Sequence, residues 1–275
     1  MTAPHPHSAA AKQPAASSII DAVVDRLNDT RSLVCQRPSM EETAVHEARK
    51  TLKNIRAGLR LLSDAGGADL RQANLLCRDV GRLLSGLRDT DVCLATLQNF
   101  PASLAAAVEP LILKLRARRA QLHESAAPDA GAKREIAADL DGVEKALREL
   151  DPERFSDAGL QRAVASSRQT GEKRFRKLIE APAPERFHDV RKAAKRELYQ
   201  RRYLEAGCGG ADSRIGILEQ LSEHLGRHQD LWVLREVAAE LGELRGDLAD
   251  AIDRAIDQEQ EQSLEIARHV YGLRK

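Results

Sequence analysis

The chain carries one nine-residue phrase twice. Val45-His46-Glu47-Ala48-Arg49-Lys50-Thr51-Leu52-Lys53 returns as Phe187-His188-Asp189-Val190-Arg191-Lys192-Ala193-Ala194-Lys195, about 142 positions later in a chain of 275. The shared pattern is apolar-His-acid-x-Arg-Lys-x-x-Lys. A displacement close to half the length predicts an internal duplication. Whatever the first half folds into, the second must also adopt, and each half presents the same small basic device.

Helical periodicity runs nearly from end to end. Aromatics make up only 3% of the chain, and its abundance of Ala, Leu, Arg and Glu favours helices over a β-core. Helices are predicted over about 19–37, 40–63, 69–98, 102–126, 132–150, 157–180, 184–206, 212–241 and 244–273. The breaks fall at Pro38, Gly66-Gly67, Pro101, Pro128, Asp151-Pro152, Pro182/Pro184, Gly207–Gly210 and Gly242. Ser39 and Glu42 have the spacing of a capping box, and Ser85-Gly86 marks a weak point in the third helix. Shifted by about 142, the first four helices superpose on the last four, and 132–150 is left over. The expected fold is all-α: two pseudo-symmetric antiparallel four-helix bundles from an internal duplication, with a bridging helix. Residues 1–18 read as a disordered tail rich in Ala, Pro, Ser and His. The first repeat is expected over 19–127 and the second over 157–274, in a single domain spanning 19–274.

Lys plus Arg (43) nearly cancels Asp plus Glu (42), so net charge gives no reason to expect nucleic acid. The charges are segregated nonetheless. Residues 186–202 carry about 7 bases against 2 acids, whereas 219–265 carry about 13 acids against 4 bases. The four cysteines have neither metal-site nor disulfide-framework spacing and suit a reducing compartment. No apolar run approaches the roughly 18 residues of a membrane span. A cytoplasmic protein is expected.

At about 100° per residue, Arg49, Lys50, Lys53, Arg56 and Arg60 all fall within about 80° of His46. They form a basic stripe on the order of 21 Å long, beside an apolar stripe through Val45, Leu52, Ile55 and Leu59. The second copy clusters His188, Arg191, Lys192, Lys195 and Arg202 in the same way. Like charges three and four residues apart repel by a few tenths of a kcal/mol each. Accumulated on one face, twice, they point to an anionic ligand: Arg forks onto phosphate oxygens, Lys adds point charge and His a pH-sensitive donor. A solvated charged face would explain one copy; its return at the same spacing argues against that.

A second phrase is also doubled. Leu84-Ser85-Gly86-Leu87-Arg88-Asp89-Thr90-Asp91-Val92 parallels Leu225-Gly226-Arg227-His228-Gln229-Asp230-Leu231-Trp232-Val233. With four motif copies in this order, residues 17–274 resemble the CHAD family, the conserved histidine α-helical domain proteins. The resemblance implies two helical bundles with a basic cavity between them that binds inorganic polyphosphate. It also implies the binding positions His46, Arg49, Lys50, Lys53, His188, Arg191, Lys192 and Lys195. Periodicity adds Arg56 and Arg60. Arg26 with Arg168, and Arg31 with Lys173, are spaced to add rungs from the first helix of each half. Arg196 joins the set where the first copy has Asn54.

The copies are unequal. Arg78 and Arg82 correspond to Glu219 and Glu223, and Arg88 to Gln229, so the first half should be the more basic. Arg82 and Arg88 are supporting candidates. Asp89 and Asp230 either orient neighbouring cations or serve helix-end packing. No metal or cofactor site is expected: His46-Glu47 lacks the second His of a zinc-peptidase motif, and His224/His228 have no third ligand. The phosphate-binding glycine loop and the Glu-x-Glu-x-Lys run of the triphosphatase domain often fused to this family are both missing. The expected protein is a non-catalytic polyphosphate binder that associates with polymer or polyphosphate granules. Nucleic-acid binding and a scaffold role at a granule surface stand as alternatives; few aromatics and near-zero net charge weigh against the former.

Overall fold

A computed structural model describes residues 14–36, 42–84, 88–126 and 129–272. Among these residues ten α-helices follow in order: α1 (Ala15–Cys35), α2 (Glu42–Gly66), α3 (Arg71–Leu83), α4 (Arg88–Leu97), α5 (Ala105–Ala126), α6 (Ala130–Arg148), α7 (Asp157–Glu180), α8 (Pro184–Cys208), α9 (Arg214–Glu240) and α10 (Gly246–Tyr271). Short 3-10 turns precede α5 and α7, and there is no strand among the described residues. The all-helical expectation holds. Caps sit where short polar side chains can reach orphan amides: Asp129 accepts from the Ala132 amide at 2.7 Å and Ser156 from that of Gly159 at 3.1 Å. The expected capping Ser39, the break at Ser85-Gly86 and most of the expected tail lie outside the described residues.

Two boundaries differ from expectation. Helix α1 begins at Ala15, inside the stretch read as tail, because Ala15 and Ala16 are buried. The predicted third helix is two elements, α3 and α4, which join different cores.

The cores are not sorted by repeat. The first gathers α1, α2, α3 and α6, but also Leu160 and Val164 of α7 and Tyr203 of α8. The second joins the C-terminal half of α7 to α8, the start of α9 and the end of α10. The third is shared between repeats, built from α4, α5, the C-terminal half of α9 and the first half of α10. Helices α9 and α10 run through the last two. Helix α6, the leftover of the sequence alignment, is part of the frame. Its Ile136, Leu140, Val143 and Leu147 complete the first core, and Arg31 of α1 pairs with Asp141 at 2.6 Å and Glu144 at 3.1 Å. In the second core the end of α10, with Val270 and Tyr271, packs against α7–α9.

At the centre, α1 and α2 interlock with α7 and α8. Gly58 of α2 lies where an added methyl would meet Val23 of α1 at 2.6 Å and Tyr203 of α8 at 2.9 Å. The buried Gln200 donates to the Ala57 carbonyl at 3.4 Å. The helices carrying the doubled phrase are therefore neighbours.

Candidate functional site

The apolar stripe of α2 places Ala48, Leu52, Ile55 and Leu59 in the core. That fixes the rotation of the helix and leaves Lys53, Arg56 and Arg60 half-buried along its edge, with His46 and Lys50 exposed. On α8 the buried Phe187, Val190, Ala194 and Leu198 do the same for half-buried Arg191, Lys195 and Arg196.

Two clusters show that the edges adjoin. In the first, Tyr199 of α8 is buried between them. Burial pushes its hydroxyl up, opposed by the positive fields of Arg202, Lys50 and Arg191. In the second, Arg196 is pushed down to about 10 by burial and by the charges of Arg60, Arg174 and Arg56, with only Asp64 opposing. Arg56 is likewise lowered, by burial first and then by Arg60. Its orientation is fixed reciprocally: its Nε donates to Asn74 Oδ1 at 3.1 Å, and Asn74 Nδ2 donates to the Arg56 carbonyl at 3.2 Å.

Both copies run in the same direction. The His188 imidazole stands beside the side chain of Gln229 of α9, and a methyl on Gly226 would meet the Arg191 guanidinium at 3.6 Å. His46 and Arg49 share a cavity wall with Arg227, Asp230 and Leu231. The His-bearing ends of α2 and α8 thus converge on one stretch of α9. The imidazole of His188 is pushed down by burial and then by Lys192 and Arg191. Arg49 also donates to the Gly81 carbonyl of α3.

Other predicted positions stand elsewhere or are engaged. Arg26 donates to Ala22 O at 3.0 Å and lies 5.1 Å from the Tyr203 ring centroid, so it packs α1 against α8. Arg168 is exposed on α7, and its field is felt by Arg214, not in the two clusters. Lys173 is exposed on α7, and Arg31 serves the α1–α6 contact. Lys192 pairs with Asp189 at 3.6 Å and Lys50 with Glu47 at 3.4 Å, all exposed contacts of small worth. Arg82 and Arg78 share Asp79 at 3.4 and 3.0 Å. Asp89 is exposed in the first turn of α4, where it complements the helix dipole. Asp230 is half-buried on the cavity wall. The Arg88 side chain lies outside the described residues.

Sequence reasoning missed Arg174. It donates to the Asp189 carbonyl at 2.9 Å and contributes to the field at Arg196; the duplicated phrases do not include α7, so no spacing marked it. Tyr199 was also missed, although it follows Lys195 by four and so shares its helix face. Two further arginines are structural. Arg201 and Arg214 surround the fully buried Glu197 at 2.9 and 3.5 Å. His224 pairs with Glu259 at 2.8 Å and His228 accepts from Trp232 at 3.2 Å, so each histidine already has a protein partner.

Comparison with solved structures gives the same fold. The crystal structure of the CHAD domain from the plant Ricinus communis superposes with a TM-score of 0.63 at 19% identity, over 100% of this chain and 98% of that one. PptA from Streptomyces chartreusis gives 0.61 at 18% identity, over 94% and 98%. No curated protein matches the sequence. The family model for the CHAD domain matches residues 18–239, which takes in both copies of the His-x-x-Arg-Lys phrase and both copies of the α4/α9 phrase, and the chain belongs to the CHAD domain family.

Proposed function

We propose that the protein binds inorganic polyphosphate, without turning it over, along the adjoining basic edges of α2 and α8. The observation that carries this reading is the second cluster. Arg56, Arg60, Arg174 and Arg196 come from three helices and both repeats, and burial, together with the charges of the other three, pushes Arg196 down to about 10. Folding holds these cations together at an electrostatic cost that a polyanion would offset. A flexible chain of phosphates can follow the edge from Arg60 towards His46, accepting forked bonds from Arg and point charge from Lys. It carries no base edges, so recognition rests on charge density and fit.

The test is a competition series. Long-chain polyphosphate, single-stranded DNA and RNA are titrated at several salt concentrations, and phosphate release is followed with and without magnesium. Tightest binding to polyphosphate is expected, falling steeply with salt as counterions are released, with no release of phosphate. Equal or tighter binding of nucleic acid overturns the assignment, and magnesium-dependent phosphate release overturns its non-catalytic part. Location in the cytoplasm and recruitment to polyphosphate granules follow from the same reading; imaging in cells with and without polyphosphate checks both.

A further inference from the structure

Helix α3 runs antiparallel along α2 and holds two arginines of its stripe. Arg49 donates to the Gly81 carbonyl. Seven residues further along α2, and seven back along α3, Arg56 Nε donates to Asn74 Oδ1 at 3.1 Å. Asn74 Nδ2 returns a bond to the Arg56 carbonyl at 3.2 Å. Seven residues are about two helical turns, so both contacts fall on one seam between the helices.

The second repeat closes the same seam without charge. Counted from the doubled histidines, Arg56 corresponds to Leu198; counted from Leu84 and Leu225, Asn74 corresponds to Ile215. Leu198 is buried in the second core and Ile215 packs against it. Other members of the cationic cluster are equally one-sided: Arg196 corresponds to Asn54 and Arg174 to Ser32, while Arg60 has Arg202 as its counterpart. The cluster is therefore not part of the repeat. Packing does not require it either, since a hydrocarbon pair fills the seam in the sister repeat and avoids the desolvation of a guanidinium.

An arginine side chain has many rotamers, and the charges of Arg60 and Arg78 push on that of Arg56. Asn74 opposes both effects. It occupies Nε, while the two terminal nitrogens of Arg56 have no hydrogen-bond partner among the described residues. Those nitrogens are the fork that phosphate oxygens accept from. We propose that Asn74 is a positioning residue of the polyanion site, which holds Arg56 within the cluster and does not itself touch the ligand. This rests on the polyphosphate reading above and assigns the site a member that neither doubled phrase contains.

The test is a double-mutant cycle on long-chain polyphosphate binding, read by calorimetry over a salt series, with urea midpoints measured alongside. N74A should weaken binding by about five- to tenfold. R56K keeps the charge but lacks the Nε–H that Asn74 accepts, and should lose a similar factor. In the R56K background, N74A should cost less than about twofold more. R56L/N74I carries the hydrocarbon pair of the second repeat. It should fold at least as stably as N74A, yet bind weakly, with a salt slope shallower by about 1. A purely structural Asn74 would lower the urea midpoint and leave affinity and slope alone. Wild-type affinity in N74A overturns the proposal, as does an equal cost of N74A in both backgrounds or wild-type binding by R56L/N74I. Failure of the wild-type protein to bind polyphosphate is a separate result, which overturns the underlying reading.

Discussion

The histidine with the clearest titration signature lies outside the doubled His-x-x-Arg-Lys phrase. His228 is 2% exposed, stacked on Phe187 with ring centroids 4.4 Å apart, and accepts the Trp232 indole N–H. Burial holds its pKa down to about 4, against the pull of Glu259. An unfolded histidine titrates near 6.5. As pH falls below that value the unfolded chain takes up a proton that the folded chain refuses until about pH 4. The contribution of His228 to stability is therefore complete above about 6.5 and is lost between there and 4, up to about 3 kcal/mol. Denaturant unfolding from pH 7.5 to 4.5 should show a shallower acid decline for His228→Gln, which keeps an acceptor for Trp232. Parallel declines in the two proteins would mean that His228 does not titrate in this window. His188 is shifted in the same direction, but it stands among Lys192 and Arg191, so a bound polyanion would raise it again.

Among the elements, the close approaches decide where the edges of α2 and α8 end up. An added methyl on Gly207 of α8 would sit 2.8 Å from the Ala15 carbonyl oxygen of α1 and 3.1 Å from Ile19. On Gly159 of α7 it would sit 2.9 Å from the Ala65 carbonyl of α2. The start of α1 lies on the end of α8, and the start of α7 on the end of α2, with the glycine on opposite members of the two crossings. A carbonyl cannot swing away as a flexible side chain can. Gly207→Ala should thus destabilise the protein by about 1–3 kcal/mol despite the better helix propensity of Ala. A methyl on Gly216 of α9 would meet nothing within 4 Å, so Gly216→Ala should be neutral or stabilise by up to about 1 kcal/mol. Urea midpoints of the two variants test the contrast; a stabilised Gly207→Ala would show that α1 can shift without cost.

For the molecule as a whole, the two stripes should contribute unequally to polyanion binding. Arg202 of the second stripe is held by Glu219 of α9, at a position where the first repeat has Arg78. Arg60 instead has Arg56 and Arg196 for neighbours. Arg49→Glu should weaken polyphosphate binding more than Arg191→Glu, by severalfold on the affinity scale and with a larger drop in salt dependence. Equal losses would show that α9 does not compensate the second stripe. The sequence by itself determined that the chain is helical, that it is doubled, and which side of α2 and α8 is basic. These follow from periodicity and composition, which depend on local spacing alone. The tertiary structure alone decided that the cores mix the repeats, that α6 closes the first core, and that α3 and α4 part company. It also decided that Arg26 and Arg31 are absorbed into packing while Arg174 joins the second cluster. Each of these depends on which surfaces meet, at glycines and buried leucines far apart in the chain, and a repeat spacing carries no record of that.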